Sequence, residues 1–194
     1  MTLNSAQLRQ IDEEEARVMS QAIKRHPVYI ILENILDTYN IGGFFRLADA
    51  VAAEKIYLCG ECATPPNHKI TKASVGTYKI VPWEHKESVK AALSDLKHIR
   101  GLQVVAVEQH SDAKDYRRIS SRFPIAFIFG HETDGVSEEA LDLADDIIEL
   151  PMYGLNKSLN VMVAAGIALY HLVHKARRSQ LGFLGKWRRP QYTK

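Results

Sequence analysis

Three stretches of this chain combine polar side chains with glycines in a way that suits the holding of a ligand. In Asn40-x-Gly42-Gly43-x-x-Arg46, an amide and a guanidinium stand six residues apart. That is under two helical turns, so both can address one end of a helix, and the paired glycines let a backbone or ligand come close. In Gly130-His131-Glu132-Thr133-Asp134-Gly135, glycines bracket a tight loop that carries the carboxylate of Glu132. In the run Leu150-Pro151-Met152-Tyr153-Gly154-Leu155-Asn156-Lys157-Ser158-Leu159-Asn160, Ser158 and Asn160 add short polar groups beside the free N–H groups of a helix start. Each stretch also has a purely structural reading. Gly42-Gly43 suits close helix–sheet packing, and Asn160 suits support of a cap. Gly130-x-x-x-x-Gly135 is a common loop shape without the Lys-Ser/Thr of a phosphate-binding loop.

All three stretches follow strands. Val28 to Leu32 and Pro124 to Phe129 are continuous apolar runs, the mark of strands covered on both faces. Further strands are expected at Lys55–Cys59, near Ile80, at Gln103–Val107 and at Ile147–Leu150. Helices are expected over residues 4–25, through Phe45 to Val51, over Glu84–Ile99, from Ser137 to Ala144, and from a Ser158 cap to about Arg177. Residues 64–79, with Pro65-Pro66 and three lysines, read as a loop. Alternating strands and helices predict an α/β fold with a mostly parallel sheet and helices on both faces, and such sheets bind ligands beyond the carboxyl ends of their strands.

At 194 residues, with 46% hydrophobic and 25% charged residues, the chain suits one globular domain of 28–174, an N-terminal helical extension of 1–27 and a tail of 175–194. Met1 to Arg17 is polar and acidic, unlike a signal peptide, and Val161 to Tyr170 is too short an apolar run to span a bilayer. A cytosolic protein with no membrane contact is expected. The net charge of +2 is unevenly spread: Lys175 to Lys194 holds seven Lys/Arg and no acid, leaving eighteen Lys/Arg against twenty-three Asp/Glu elsewhere. With Phe183, Trp187 and Tyr192, that tail suits a polyanion or a solvated helix end. Cys59 and Cys62 form a C-x-x-C with His68 nearby. They follow an apolar strand and lack a second pair, so two reduced cysteines are expected in place of a metal or redox site.

Taken together, the order, spacing and strand context of the three stretches resemble the SPOUT superfamily of knotted methyltransferases. The resemblance is to its SpoU/TrmH branch of RNA ribose 2′-O-methyltransferases, over roughly Val28 to Val173. The matching patterns are Asn-x-Gly-x-x-x-Arg, a strand followed by Gly-x-Glu-x-x-Gly, and Leu-Pro-Met-x-Gly through Ser-Leu-Asn-Val with Ala164-Ala165-Gly166-Ile167 beyond. This resemblance implies a C-terminal deep trefoil knot, which patterning alone could not show because knots are rare. It implies S-adenosyl-L-methionine as cofactor, against Phe129, Gly130, Glu132, Gly135, Leu150, Met152, Gly154, Ser158 and Leu159, with no metal. It makes Arg46 the catalytic arginine, with Asn40, Glu132, Ser158 and Asn160 at the other polar positions. Glu132 and Asn40 are expected to orient Arg46. Arg46 is expected to be essential, either as a general base, against which a guanidinium pKa above about 12 weighs, or as a clamp holding phosphate and hydroxyl in line with the methyl group.

The resemblance also implies a homodimer through Phe44, Phe45, Met162 and Tyr170. It implies an RNA substrate, tRNA favoured over rRNA on the N-terminal helix and the basic, aromatic tail, with Lys69, Lys72 and Lys79 widening the positive surface. Two rivals are an inactive RNA-binding copy and a dinucleotide-binding enzyme. The intact set of polar residues opposes the first, and the lack of a Gly-x-Gly-x-x-Gly after a strand opposes the second.

Overall fold

Alternate residues of the central strands face opposite sides of the sheet, and both sides are apolar. A computed structural model describes residues 3–120 and 122–181, with side chains through residue 176. Its strands are β1 (His26–Glu33), β2 (Ala53–Cys59), β3 (Trp83–Lys86), β4 (Gln103–Val107), β5 (Lys114–Asp115), β6 (Ile125–Phe129) and β7 (Asp146–Glu149). They form one sheet in the order β3-β2-β1-β6-β4-β7-β5, and every pairing between them is parallel.

Ile30, Leu32, Phe127 and Phe129 face α3 (Thr38–Ala50) and α7 (Val161–Leu181), meeting Phe44, Phe45, Leu169 and Leu172. Ile31, Ala126 and Ile128 face the other way, onto α5 (Val89–Asp95) and α6 (Glu138–Leu141) through Val89, Ala92 and Leu141. Burial on both faces is why these strands read as unbroken apolar runs.

Several boundaries differ from the sequence expectation, each for a local reason. The helix expected over 4–25 is two, α1 (Ser5–Gln10) and α2 (Glu13–Ala22). Asp12 starts a fresh capping box, accepting from Glu15 N at 2.8 Å while Glu15 accepts from Asp12 N at 3.2 Å. Residues 64–79 are not a plain loop: Asn67 caps α4 (His68–Ser74), and a 3₁₀ turn follows at Thr77–Lys79. The strand expected near Ile80 lies at Trp83–Lys86, overlapping the start of the segment read as helix. It is pinned at the sheet edge by Lys55–Glu84 (2.5 Å), Lys86–Glu84 (2.6 Å) and Lys86–Asp95 (2.7 Å) contacts. The last helix begins at Val161, two residues later than a Ser158 cap implies. Its cap is Asn160, whose side-chain oxygen accepts from Met162 N at 2.9 Å, and not Ser158.

One topological feature frames the site. Val107 of β4 and Lys114 of β5 both lie level with Ile148 of β7, on opposite sides of it. The connection through residues 108–113 therefore arches across β7 near its carboxyl end. Among the described residues, no helix is long and apolar enough to cross a membrane.

Candidate active site

The carboxyl ends of β4, β6 and β7 and the start of α7 surround a cavity of about 500 Å³. That volume lies in the range of small-molecule sites. Its walls are the loop Gly130–Gly135, Leu150 and Met152 after β7, Lys157–Leu159 before α7, Val161 and Ala164 on α7, and Val107–Gln109 at the end of β4. The apolar Val107, Leu150, Met152, Leu159, Val161 and Ala164 share the wall with polar and charged side chains, among them Glu108, Glu132, Asp134 and Glu149.

The Gly130–Gly135 loop is a small hairpin. His131 and Gly135 exchange two backbone hydrogen bonds of 3.0 Å, and His131 Nδ1 accepts from the backbone N–H groups of Thr133 and Asp134, each at 3.1 Å. Asp134 Oδ2 lies 3.2 Å from the same ring nitrogen. Both glycines are required. A Cβ on Gly130 would lie 2.2 Å from the backbone of Gly135 and Val136, and Gly135 adopts φ +75°. The far side of the loop is held by Glu33 at the end of β1, which accepts from Ser137 N (2.9 Å) and Ser137 Oγ (2.6 Å).

Three of the expected polar residues form one relay. Asn160 Nδ2 donates to Asn40 Oδ1 at 3.2 Å, and Asn40 Nδ2 donates to Glu132 Oε1 at 2.9 Å. Glu132 also accepts from Asp37 N (3.1 Å) and Leu36 N (3.2 Å). Partial burial works against its ionised form. The donors, Asn40 first among them, outweigh that and hold the carboxyl below its ordinary range. Asn40 is buried in the first turn of α3, and Asn160 serves cap and relay at once.

Arg46 is not part of that relay. It is exposed on α3, and no hydrogen bond or ion pair joins it to another described residue. The expected contact from Glu132 and Asn40 is absent for a geometric reason. Six residues turn a helix through about 600°, which leaves Arg46 roughly 120° around α3 from Asn40. Ser158 lines the cavity and is exposed.

Gly130, Glu132, Gly135, Leu150, Met152, Ser158 and Leu159 all contribute to the cavity wall. Phe129 and Gly154 do not. The Phe129 ring is in the core, 5.2 Å from that of Phe44 and 6.4 Å from that of Phe127, because the last inward position of β6 faces α3. Gly154 stands in open space, with nothing within 4 Å of where its Cβ would lie. Glu108, Gln109 and Glu149 line the cavity without having been anticipated. The strand-end rule would have found them had it been applied to β4 and to the last residue of β7.

Phe44 and Phe45 are fully buried in the core, so they cannot form a face between subunits. On α7, Val163, Ile167 and Tyr170 are exposed along one stripe. Lys69 and Lys72 are exposed on α4, whereas Lys79 is spent within the chain, donating to Ile11 O at 2.7 Å. Phe183, Trp187 and Tyr192 of the basic tail lie outside the described residues. Cys59 and Cys62 are free and buried, and burial pushes their thiols up to about 12 and about 11 respectively.

Comparison with known proteins extends the same picture. The model of the SpoU rRNA Methylase family matches residues 27–170. A tRNA (guanosine(18)-2′-O)-methyltransferase of Thermus thermophilus is 34% identical over 176 residues, covering 90% of this chain and 87% of the relative. The structure of the A. aeolicus TrmH/SpoU tRNA modifying enzyme is similar with a TM-score of 0.72 and 29% identity, over 88% of this chain and 85% of that one. The SpoU methyltransferase AviRb from Streptomyces viridochromogenes, solved in complex with its cofactor AdoMet, gives 0.73 and 25%, over 82% of this chain and 63% of that one.

Proposed function

The chain belongs to the SpoU rRNA methylase family, and from that premise we propose that it transfers the methyl group of S-adenosylmethionine to a ribose 2′-hydroxyl of tRNA. The observation that carries this reading is the Asn160–Asn40–Glu132 relay, which ends on the wall of a cavity of about 500 Å³. The names of the Thermus thermophilus and A. aeolicus relatives support tRNA as the substrate class, and the AdoMet complex of AviRb supports the cofactor.

Gly130, Glu132, Gly135, Leu150, Met152, Ser158 and Leu159 hold the cofactor. When bound there, it supplies an electrophilic methyl group on a sulfonium. Asn40, Glu132 and Asn160 fix the loop and the helix start on which that pocket depends. Arg46, exposed and without a side-chain partner among the described residues, binds RNA phosphate and aligns the hydroxyl. Its guanidinium group clamps the substrate.

Residues 28–174 form the methyltransferase unit, and the flanking segments 1–27 and 175–194 add RNA contacts. The chain leaving β7 passes through the arch of residues 108–113, giving the trefoil knot. In support of this, Gln109 of the arch donates to the Lys157 carbonyl beyond it. Two copies pair through the exposed stripe Val163–Ile167–Tyr170. We expect this work to take place in the cytosol.

The test is alkaline digestion of RNA treated with the protein and S-adenosylmethionine. A 2′-O-methyl group blocks strand cleavage at its own phosphodiester, so an alkali-resistant dinucleotide must appear. Methylated mononucleotides alone would refute the reading.

A further inference from the structure

The cavity wall supplied by β4 lies outside the three stretches that carry the family resemblance, yet it grips two of them. Each carboxylate oxygen of Glu108 is used: Oε1 accepts from Gln109 N at 2.7 Å, and Oε2 accepts from Val136 N at 2.8 Å. Val136 immediately follows the Gly130–Gly135 hairpin. A Cβ on Gly135 would lie 2.4 Å from Glu108 Oε2, so the carboxylate occupies the space that a side chain at 135 would need. The next residue, Gln109, donates through Nε2 to the carbonyl of Lys157, the neighbour of Ser158. Two consecutive residues thus tie down two of the loops that line the cavity.

We infer that Glu108 and Gln109 are positioning residues for the methyl donor, fixing the separation between the Gly130–Gly135 hairpin and the Lys157–Leu159 segment. This rests on reading the cavity as the donor site. Hydrogen bonds from backbone N–H to a carboxylate are of the stronger, charge-assisted kind. A pocket held open in its bound shape avoids the cost of ordering two loops when the ligand enters. Neither residue belongs to the Asn160–Asn40–Glu132 relay. Their loss therefore weakens donor binding while the transfer step at saturating donor is largely kept.

The experiment compares the wild-type protein with Glu108→Ala, Glu108→Gln and Gln109→Ala. It uses calorimetry with S-adenosylhomocysteine and steady-state transfer at varied S-adenosylmethionine. Glu108→Ala is expected to raise Kd and the donor KM by about tenfold or more, with kcat within about threefold of wild type. Glu108→Gln keeps one accepting oxygen and falls between the two, and Gln109→Ala gives a rise of about threefold or more. A purely structural role would lower the melting temperature and the active fraction and leave the donor KM unchanged. That outcome, or a loss confined to kcat, overturns the inference. If Glu108→Ala does not fold, unchanged affinity in Glu108→Gln and Gln109→Ala overturns it equally. Failure of the wild type to bind S-adenosylhomocysteine would overturn the functional reading and this inference with it. Wild-type binding with unaltered variants overturns this inference alone.

Discussion

The side-chain amide of Asn160 donates to the side-chain oxygen of Asn40 across 3.2 Å, joining positions 120 residues apart in the chain. Asn40 passes the link on to Glu132, so a helix start, a helix first turn and a glycine loop are held by one buried amide. Asn40→Ala removes an acceptor from Asn160 and a donor from Glu132. The expected cost is on the order of 1–3 kcal/mol of stability, with methyl transfer down by about tenfold or more. Thermal melts and initial rates check both, and a variant that is stable and fully active would contradict the relay.

Glu132 gives a pH signature with a definite sign. Its folded-state pKa is depressed, chiefly because the donors led by Asn40 overcome the opposing effect of burial. The stability it contributes is therefore present above the unfolded carboxylate value of about 4.3 and is lost as pH falls through the lower, folded value. Glu132→Gln should melt below wild type at pH 7, and the gap should close as pH falls below about 4. A gap that stays constant with pH would mean that ionisation of Glu132 does not matter to the fold.

The adjacent glycines of α3 should respond oppositely to alanine. At Gly42 a Cβ would lie 2.5 Å from Ala73 Cβ and 3.0 Å from Ile70 O and Ser74 N, all on α4. Overpacking of about 1–3 kcal/mol there exceeds the helix gain of about 0.5–1 kcal/mol, so Gly42→Ala is destabilising. At Gly43 the near atoms are the end of the flexible Met162 side chain, at 2.9 Å. That side chain can swing aside, so Gly43→Ala is neutral or slightly stabilising. Equal melting temperatures for the two variants would refute this packing argument.

Cys59 and Cys62 should be inert in the folded protein. Burial raises their thiols to about 12 and about 11, so at pH 8 only about one part in ten thousand and one part in a thousand are thiolate. Iodoacetamide at pH 8 is expected to leave both unmodified in the native state and to label both in denaturant. Rapid native labelling would show that one of them is exposed.

The central strands were legible in the sequence because two covered faces make apolar runs such as Ile125–Phe129 unmistakable. The glycine loop, Asn40 and Asn160 were legible through their place after strands, but the hydrogen bond between the two amides was not. Other features were hidden by local chemistry. Asp12 breaks an otherwise periodic helix by starting a second cap, and α4 sits behind Pro65-Pro66 in a lysine-rich segment. Linear spacing suggested that Arg46 meets Asn40, but helical rotation carries it to another face. Glu108 escaped notice because it opens a polar stretch, and only the sheet order shows that this stretch arches over β7 against the glycine loop.

The most direct test of the account is transfer of labelled methyl from S-adenosylmethionine to unmodified tRNA and rRNA, followed by nucleoside analysis, with Arg46→Ala alongside. The account predicts a 2′-O-methylated nucleoside in the tRNA pool with the wild type. It predicts none with Arg46→Ala, although that variant binds S-adenosylhomocysteine as tightly as the wild type. A label confined to rRNA would contradict the substrate class. A label on a base, or undiminished transfer by Arg46→Ala, would contradict the chemistry assigned to the site.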